Sequence, residues 1–358
     1  MPNDNTVKGV DHGKRVWDNR ILGSLVCEAL IASLAHIKTE NLSGVVVGLQ
    51  NGRVYVCHNG PQVDTGSIHR LHDDGLLSLV AGGQRALSIS TDGTVSRIDL
   101  DQLSVERRIF VAKKNWPTAI AVSSDGSLGA ITSGSQAAVL DLGNENAVVM
   151  QEDAGGSCSY TGVAFSRSGQ HLGIGSQGKL VVYDIRSSQT RDLIWQGSHI
   201  DVFWSPSEEF ICSTTHDREL HVWNLESGKD FRLGGFGRKI RVAKWNESST
   251  QLAAVADEVV VVWTVDTQSG GFYPKPIEIG CGTDCGHCTA FSWVDDARMI
   301  VGFSDGSVIL SDVSTGAGVF LLSEFSSGAS INHLVAAGED NAIVAINDNL
   351  ISLDFAVN

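Results

Sequence analysis

A short apolar strand, a turn, a second strand, a Gly- or Asp-bearing turn and a third strand closing on a polar residue recur along the chain about every 42 residues. The third strands give the register. They are Val54–His58, Val95–Asp99, Ala137–Asp141, Leu180–Asp184, Leu220–Asn224, Val260–Thr264, Val308–Asp312 and Leu350–Asp354. Their last residues are separated by 41, 42, 43, 40, 40, 48 and 42 positions. The first strands keep step, as in Ile120–Ser123, Val163–Ser166, Val202–Ser205 and Thr289–Ser292. Between second and third strands stand Asn51-Gly52, Asp92-Gly93, Gln177-Gly178, His216-Asp217 and Asp305-Gly306, residue types that supply the positive φ of tight hairpins. Eight strand–turn units with no helical period between them exclude a doubly wound α/β fold. Each unit is a small sheet that cannot bury both faces alone. Stacking the sheets radially covers those faces, and a run such as Val259–Trp263 suits a strand covered on both sides.

These third strands resemble those of WD40 propellers, which end in Trp-Asp, although the dipeptide is degenerate here. Only Trp223 and Trp263 keep the Trp, and neither precedes Asp. The fifth repeat is the most similar: Ser213 and Asp217 stand ten and six residues before Trp223, with His199 ahead of the first strand. The resemblance covers residues 29–358 and has a bacterial look. It implies an all-β propeller of eight blades, each of four antiparallel strands, with seven blades as the alternative, in one domain over 1–358. It also implies a structural hydrogen-bond network of His199, Ser213, Asp217 and Trp223. The ring is expected to close through an N-terminal segment, Arg15–Leu22, acting as outer strand of the last blade. Ile21, Leu22, Leu25, Val26, Ala29 and Leu30 also fit a helix over 19–31. Residues 1–14 are expected to be flexible.

The resemblance further implies a non-catalytic platform for protein–protein interaction. The loops leading into the first strands would cluster at one mouth, carrying His72, Trp116, Tyr160, His199, Phe236, Arg238, Lys239 and His287. Of these, Trp116, Tyr160, Phe236, Arg238 and Lys239 are the candidate partner-binding residues, because aromatic side chains and Arg dominate interface hot spots. Trp116, in Lys113-Lys-Asn-Trp-Pro117, is the foremost; packing beneath a neighbouring blade is its alternative.

Charge narrows the partners. Lys and Arg number 26 against 41 Asp and Glu, a net −15, with no basic cluster. Sequence-independent nucleic-acid binding and anionic membranes are not expected. No apolar run approaches the about 20 residues of a membrane helix, and the first residues lack the pattern of a signal peptide. With seven cysteines, an odd count, a cytoplasmic setting with free thiols is the expectation. A monomer is expected.

The stretch Cys281-Gly-Thr-Asp-Cys285-Gly-His-Cys288 is the strongest chemical candidate. Its C-x3-C-x2-C spacing matches radical SAM enzymes, but those need an α/β barrel that this chain lacks. Zinc held by Cys281, Cys285, Cys288 and His287 is a second reading, with thiolate and imidazole as suitable ligands. That would make the chain a metal-binding or metal-handling protein. In a third, Cys288 is core, His287 is a loop histidine, and the other two are incidental thiols. No cofactor other than that zinc is expected. A His199–Ser213–Asp217 hydrolase triad is set aside, because the repeat pattern explains all three and no G-x-S-x-G elbow accompanies them. A propeller enzyme of unknown chemistry is the remaining alternative.

Overall fold

A computed structural model of the chain describes residues 20–38, 43–58, 65–111, 116–144, 147–153, 159–280, 285–322, 329–338 and 340–355. Residues 1–14 and most of Arg15–Leu22 lie outside them. Every helix or strand element among them is a β-strand. They fall into two compact units, one running from Ala32 to Gly235 and one from Phe236 onward together with the strand before Ile31.

In the first unit, strands pair antiparallel in chain order. Ile31–Lys38, Ser43–Leu49, Arg53–His58 and Thr65–Arg70 form one sheet. Leu76–Gly82 through Ser104–Val111 form the next, and Pro117–Val122 through Ala147–Asp153 a third. The fourth and fifth repeats share a six-stranded sheet. Strand His171–Asp184 passes through Gln177-Gly178 without a break. Strand Thr190–Trp204 serves as outer strand of one repeat and inner strand of the following one. In the second unit, Ala243–Trp245, Gln251–Ala256 and Val259–Asp266 carry two short outer strands, Gly271–Phe272 and Ile277–Ile279. Cys288–Trp293 through Gly318–Leu322 make a four-stranded sheet.

The fold is all-β and of propeller type, with seven hydrogen-bonded sheets. Seven is the alternative count; eight separate four-stranded blades were the main expectation. The difference lies in the two long strands, which fuse neighbouring repeats. Within the fused sheet the halves pack on each other. Leu180 and Val182 from one half share a core with Val202, Ile211 and Trp223 from the other. A Cβ on Gly173 would lie 2.6 Å from the Ile211 side chain, so only glycine admits this approach. The same layering recurs between other repeats, where Leu87, Ile89 and Val95 meet Ile120, Ile131 and Leu140. Burying such faces at about 25 cal/mol per Å² is the main stabilising term.

The last sheet takes its outer strand from the start of the chain. Ile21–Val26 pairs with Asn349–Asp354, from Ile21↔Leu353 to Val26↔Asn349. Cys27 N–H donates to the Asp348 carbonyl at 2.7 Å and Ile31 N–H to the Asn347 carbonyl at 2.8 Å. The helix over 19–31 does not form. Ile21, Ser24 and Val26 are exposed and the other three residues half-buried, and the segment's backbone pairs with the neighbouring strand.

Candidate functional site

Two histidines organise the turns behind the lead-in loops. In the second repeat His72 is buried, not a docking residue. Its Nδ1 lies 3.2 Å from Thr94 Oγ1 and its Nε2 2.7 Å from Ser88 Oγ. Thr94 Oγ1 donates to Asp92 at 2.6 Å, and Thr94 N–H to the same carboxylate at 2.9 Å. These hydrogen bonds, with Ser90 and His72 nearby, hold the Asp92 carboxyl below its usual range against the burial that opposes them.

In the fifth repeat the expected network forms only in part. His199, fully buried, sits with Nδ1 2.6 Å from Ser213 Oγ, and its ring meets Trp223 at 5.5 Å. Asp217 is exposed and does not join, and His199 Nε2 has no partner among the described residues. The reason is two residues along. Thr94, which bridges His72 to Asp92, is replaced by Glu219, whose carboxylate turns to Arg232 (2.6 Å). Burial, then the neighbouring His221, pushes the His199 imidazole down to about 4. A column of rings continues from it. His221 meets Trp223 at 4.3 Å and stacks on Trp195 at 4.0 Å, and the Arg232 guanidinium caps Trp195 at 5.4 Å. His221 Nε2 lies 3.0 Å from Asp230; burial still lowers its pKa, the carboxylate opposing.

The five candidate partner residues separate. Trp116 is 58% exposed and lies over the turn of the preceding repeat, where a Cβ on Gly93 would be 3.3 Å from its ring. Tyr160 is buried with Ala121, Val139 and Ile174, and its carbonyl accepts from Thr118 Oγ1 at 3.0 Å. Phe236 is buried against Trp263, ring centroids 5.5 Å apart. Both are packing residues. Arg238 and Lys239 are exposed in the other unit. There Arg238 Nε and His287 Nδ1 each lie 3.3 Å from Asp257 Oδ1, so His287 belongs to a surface ion-pair group.

The described part of the cysteine loop does not gather its ligating residues into one group. Cys281 lies outside the described residues. Cys285 is disulfide-bonded, and Cys27, Cys57, Cys212 and Cys288 are free. Cys288 is buried, and its Sγ donates to the Glu258 carbonyl at 3.2 Å. Burial, then Asp257 and Glu258, pushes that thiol up to about 12. Among the described residues no group of three or more His, Cys, Asp or Glu is placed to hold a metal ion.

No family model matches the chain. A stretch of 129 residues is 26% identical to eukaryotic translation initiation factor 3 subunit I of Botryotinia fuckeliana, covering 34% of this chain and 38% of that protein. The same protein of Sclerotinia sclerotiorum matches equally. Protein tipD of Dictyostelium discoideum is 30% identical over 112 residues, 30% of this chain and 18% of that protein. The match thus spans little more than a third of the length of the first two relatives. Among solved structures, the computationally designed Ika8 protein superposes with a TM-score of 0.73 at 18% sequence identity, over 94% of this chain and 99% of Ika8. These matches and the strand order support a WD40-type propeller; the expected bacterial character gains no support from them. No described helix is long and apolar enough to cross a membrane.

Proposed function

We propose that the chain is a non-catalytic protein-interaction platform that engages a partner through its lead-in loops. The observation that carries this is Trp116, a large aromatic side chain held in the open over a neighbouring turn. An exposed ring fixed by the fold loses little entropy on binding, which is how hot spots work. Arg238 and Lys239 add exposed cationic contacts on their own unit. The propeller fold and the names of the relatives support the same reading. In this reading the chain is a single-domain cytoplasmic monomer, with Ile21–Val26 closing the last sheet.

The test is capture of partners from a lysate of the source organism with wild type and Trp116→Ala side by side. A specific partner retained by wild type should weaken in the variant by about 2 kcal/mol or more, roughly thirtyfold in Kd. Equal retention by both removes Trp116 from the interface. A second variant, Arg238→Ala with Lys239→Ala, reports whether the other unit contributes.

A further inference from the structure

A cleft of about 680 Å³ opens in the first unit between the fourth and fifth repeats. It lies at the turns that follow the first and third strands, the end of the strands away from Trp116. Pockets of this size hold a ligand or a short peptide segment. Four carboxylates line it, Asp184, Glu208, Glu209 and Glu226, against one Arg191. That guanidinium is turned onto the Leu225 carbonyl at 3.0 Å. The aromatic wall is the half-buried Trp204.

The carboxylates are not equivalent. Asp184 accepts the Ser187 N–H at 2.6 Å and holds its own turn. Glu208 accepts from Ser168 N–H and lies 3.9 Å from His171. Glu209 has given one oxygen to Asn224 (2.7 Å), and Glu226 forms no ion pair with any described residue. Neither of the last two faces a cation that neutralises it. Trp204 has spent its N–H on the Ala164 carbonyl at 3.0 Å, so it offers the cleft ring surface alone. Its indole is steadied by His171, 6.1 Å away.

We propose that this cleft docks an arginine-bearing segment of a partner protein, the guanidinium lying against Trp204 and bonding Glu209 and Glu226. The cleft is deficient in positive charge, so the occupant is a cation. The described carboxylates and His171 do not gather into a metal site, so the cation is organic. A planar, weakly hydrated guanidinium both stacks on an indole and bonds carboxylates in its plane; a lysine ammonium does only part of this. The site is independent of the lead-in loops.

The test is fluorescence anisotropy at physiological salt with fluorescein-labelled Gly-Arg-Gly-Arg-Gly and its lysine counterpart. The arginine peptide should bind saturably and more tightly than the lysine peptide. Glu209→Gln with Glu226→Gln, which keeps an acceptor for Asn224, should weaken it at least about tenfold. The pair Asp74→Asn with Asp101→Asn, exposed in the second repeat of the same unit, removes the same charge and should change it less than about twofold. Trp204→Phe should cost a few-fold, and Trp116→Ala nothing. Absence of saturable binding overturns the proposal. So does an equal loss in both double variants, which would mean attraction to the net −15 alone, or equal affinity for the lysine peptide.

Discussion

The second and fifth repeats carry the same three residue types, with Ser and Asp four apart in both and His 16 or 14 residues before Ser, and build different interiors from them. Ser88 and Asp92 stand before Ile98 as Ser213 and Asp217 stand before Trp223. In the second repeat a threonine hydroxyl links histidine to carboxylate, and His72 is bonded at both nitrogens. In the fifth, Glu219 takes that place, the carboxylate is left at the surface, and His199 is bonded at one nitrogen. There the histidines are held by ring contacts with Trp223 and Trp195. A buried polar network is worth most when every member is satisfied, so the two solutions should respond differently to the same perturbation.

The largest contrast is expected from removing each histidine. His72→Leu removes two hydrogen bonds, leaving Thr94 only its bond to Asp92 and Ser88 only a long one to the Ser96 carbonyl, and should cost about 2–3 kcal/mol. His199→Leu strands only Ser213 and should cost about 1–2 kcal/mol. Urea unfolding followed by tryptophan fluorescence reads both; equal losses would show that completeness of the network is not what stabilises these turns.

Acid sharpens the comparison. The His199 folded-state pKa, about 4, is below its ordinary 6.5, so the unfolded chain binds the proton first. Stability from this group is complete above about pH 6.5 and falls as pH drops toward 4. The loss is on the order of 2–3 kcal/mol. In His199→Leu that part of the pH slope should vanish from the unfolding midpoints; an unchanged slope would assign it elsewhere.

The smallest effects come from the carboxylates. Asp92→Ala removes two hydrogen bonds to Thr94 and should cost about 1–2 kcal/mol, whereas Asp217→Ala should stay within about 0.5 kcal/mol. Thermal melts of the pair suffice, and a large cost at Asp217 would restore it to the network.

What could be read from the sequence follows from what each residue needs. Strand ends were legible because hydrophobic runs and turn residues act locally: Asp99, Asp141, Asp184 and Asp312 all close their strands. Ser213 beside His199 was legible from the resemblance to WD40 repeats. The missing partner of Asp217 was not, because it depends on the hydroxyl absent at position 219. In the His72 network Ser88 and Asp92 keep the four-residue spacing, but Ile98 stands where WD40 repeats carry Trp, and the histidine reads as a loop residue. Tyr160 looks like a surface aromatic until the preceding repeat covers it, and Phe236 until it packs on Trp263 of its own repeat. The cysteine loop shows three sulfurs in sequence, whereas the burial of Cys288 and the disulfide at Cys285 are set by the fold and not by spacing. The cleft by Trp204 depends on two repeats meeting, which no single repeat reveals.

Strand Ile21–Val26 completes a sheet whose other members lie beyond residue 332, and the whole first unit intervenes between them. On a ribosome this strand emerges early and must wait for nearly the entire chain before its partner exists. Closing so long a loop adds only about 0.6 kcal/mol per doubling of length, but it delays the contact. Until then the edge of Asn349–Asp354 is open, and a second copy of Ile21–Val26 could occupy it. Synthesis rate and chain concentration, rather than the stability of the finished sheet, therefore govern whether this molecule closes on itself or on its neighbour.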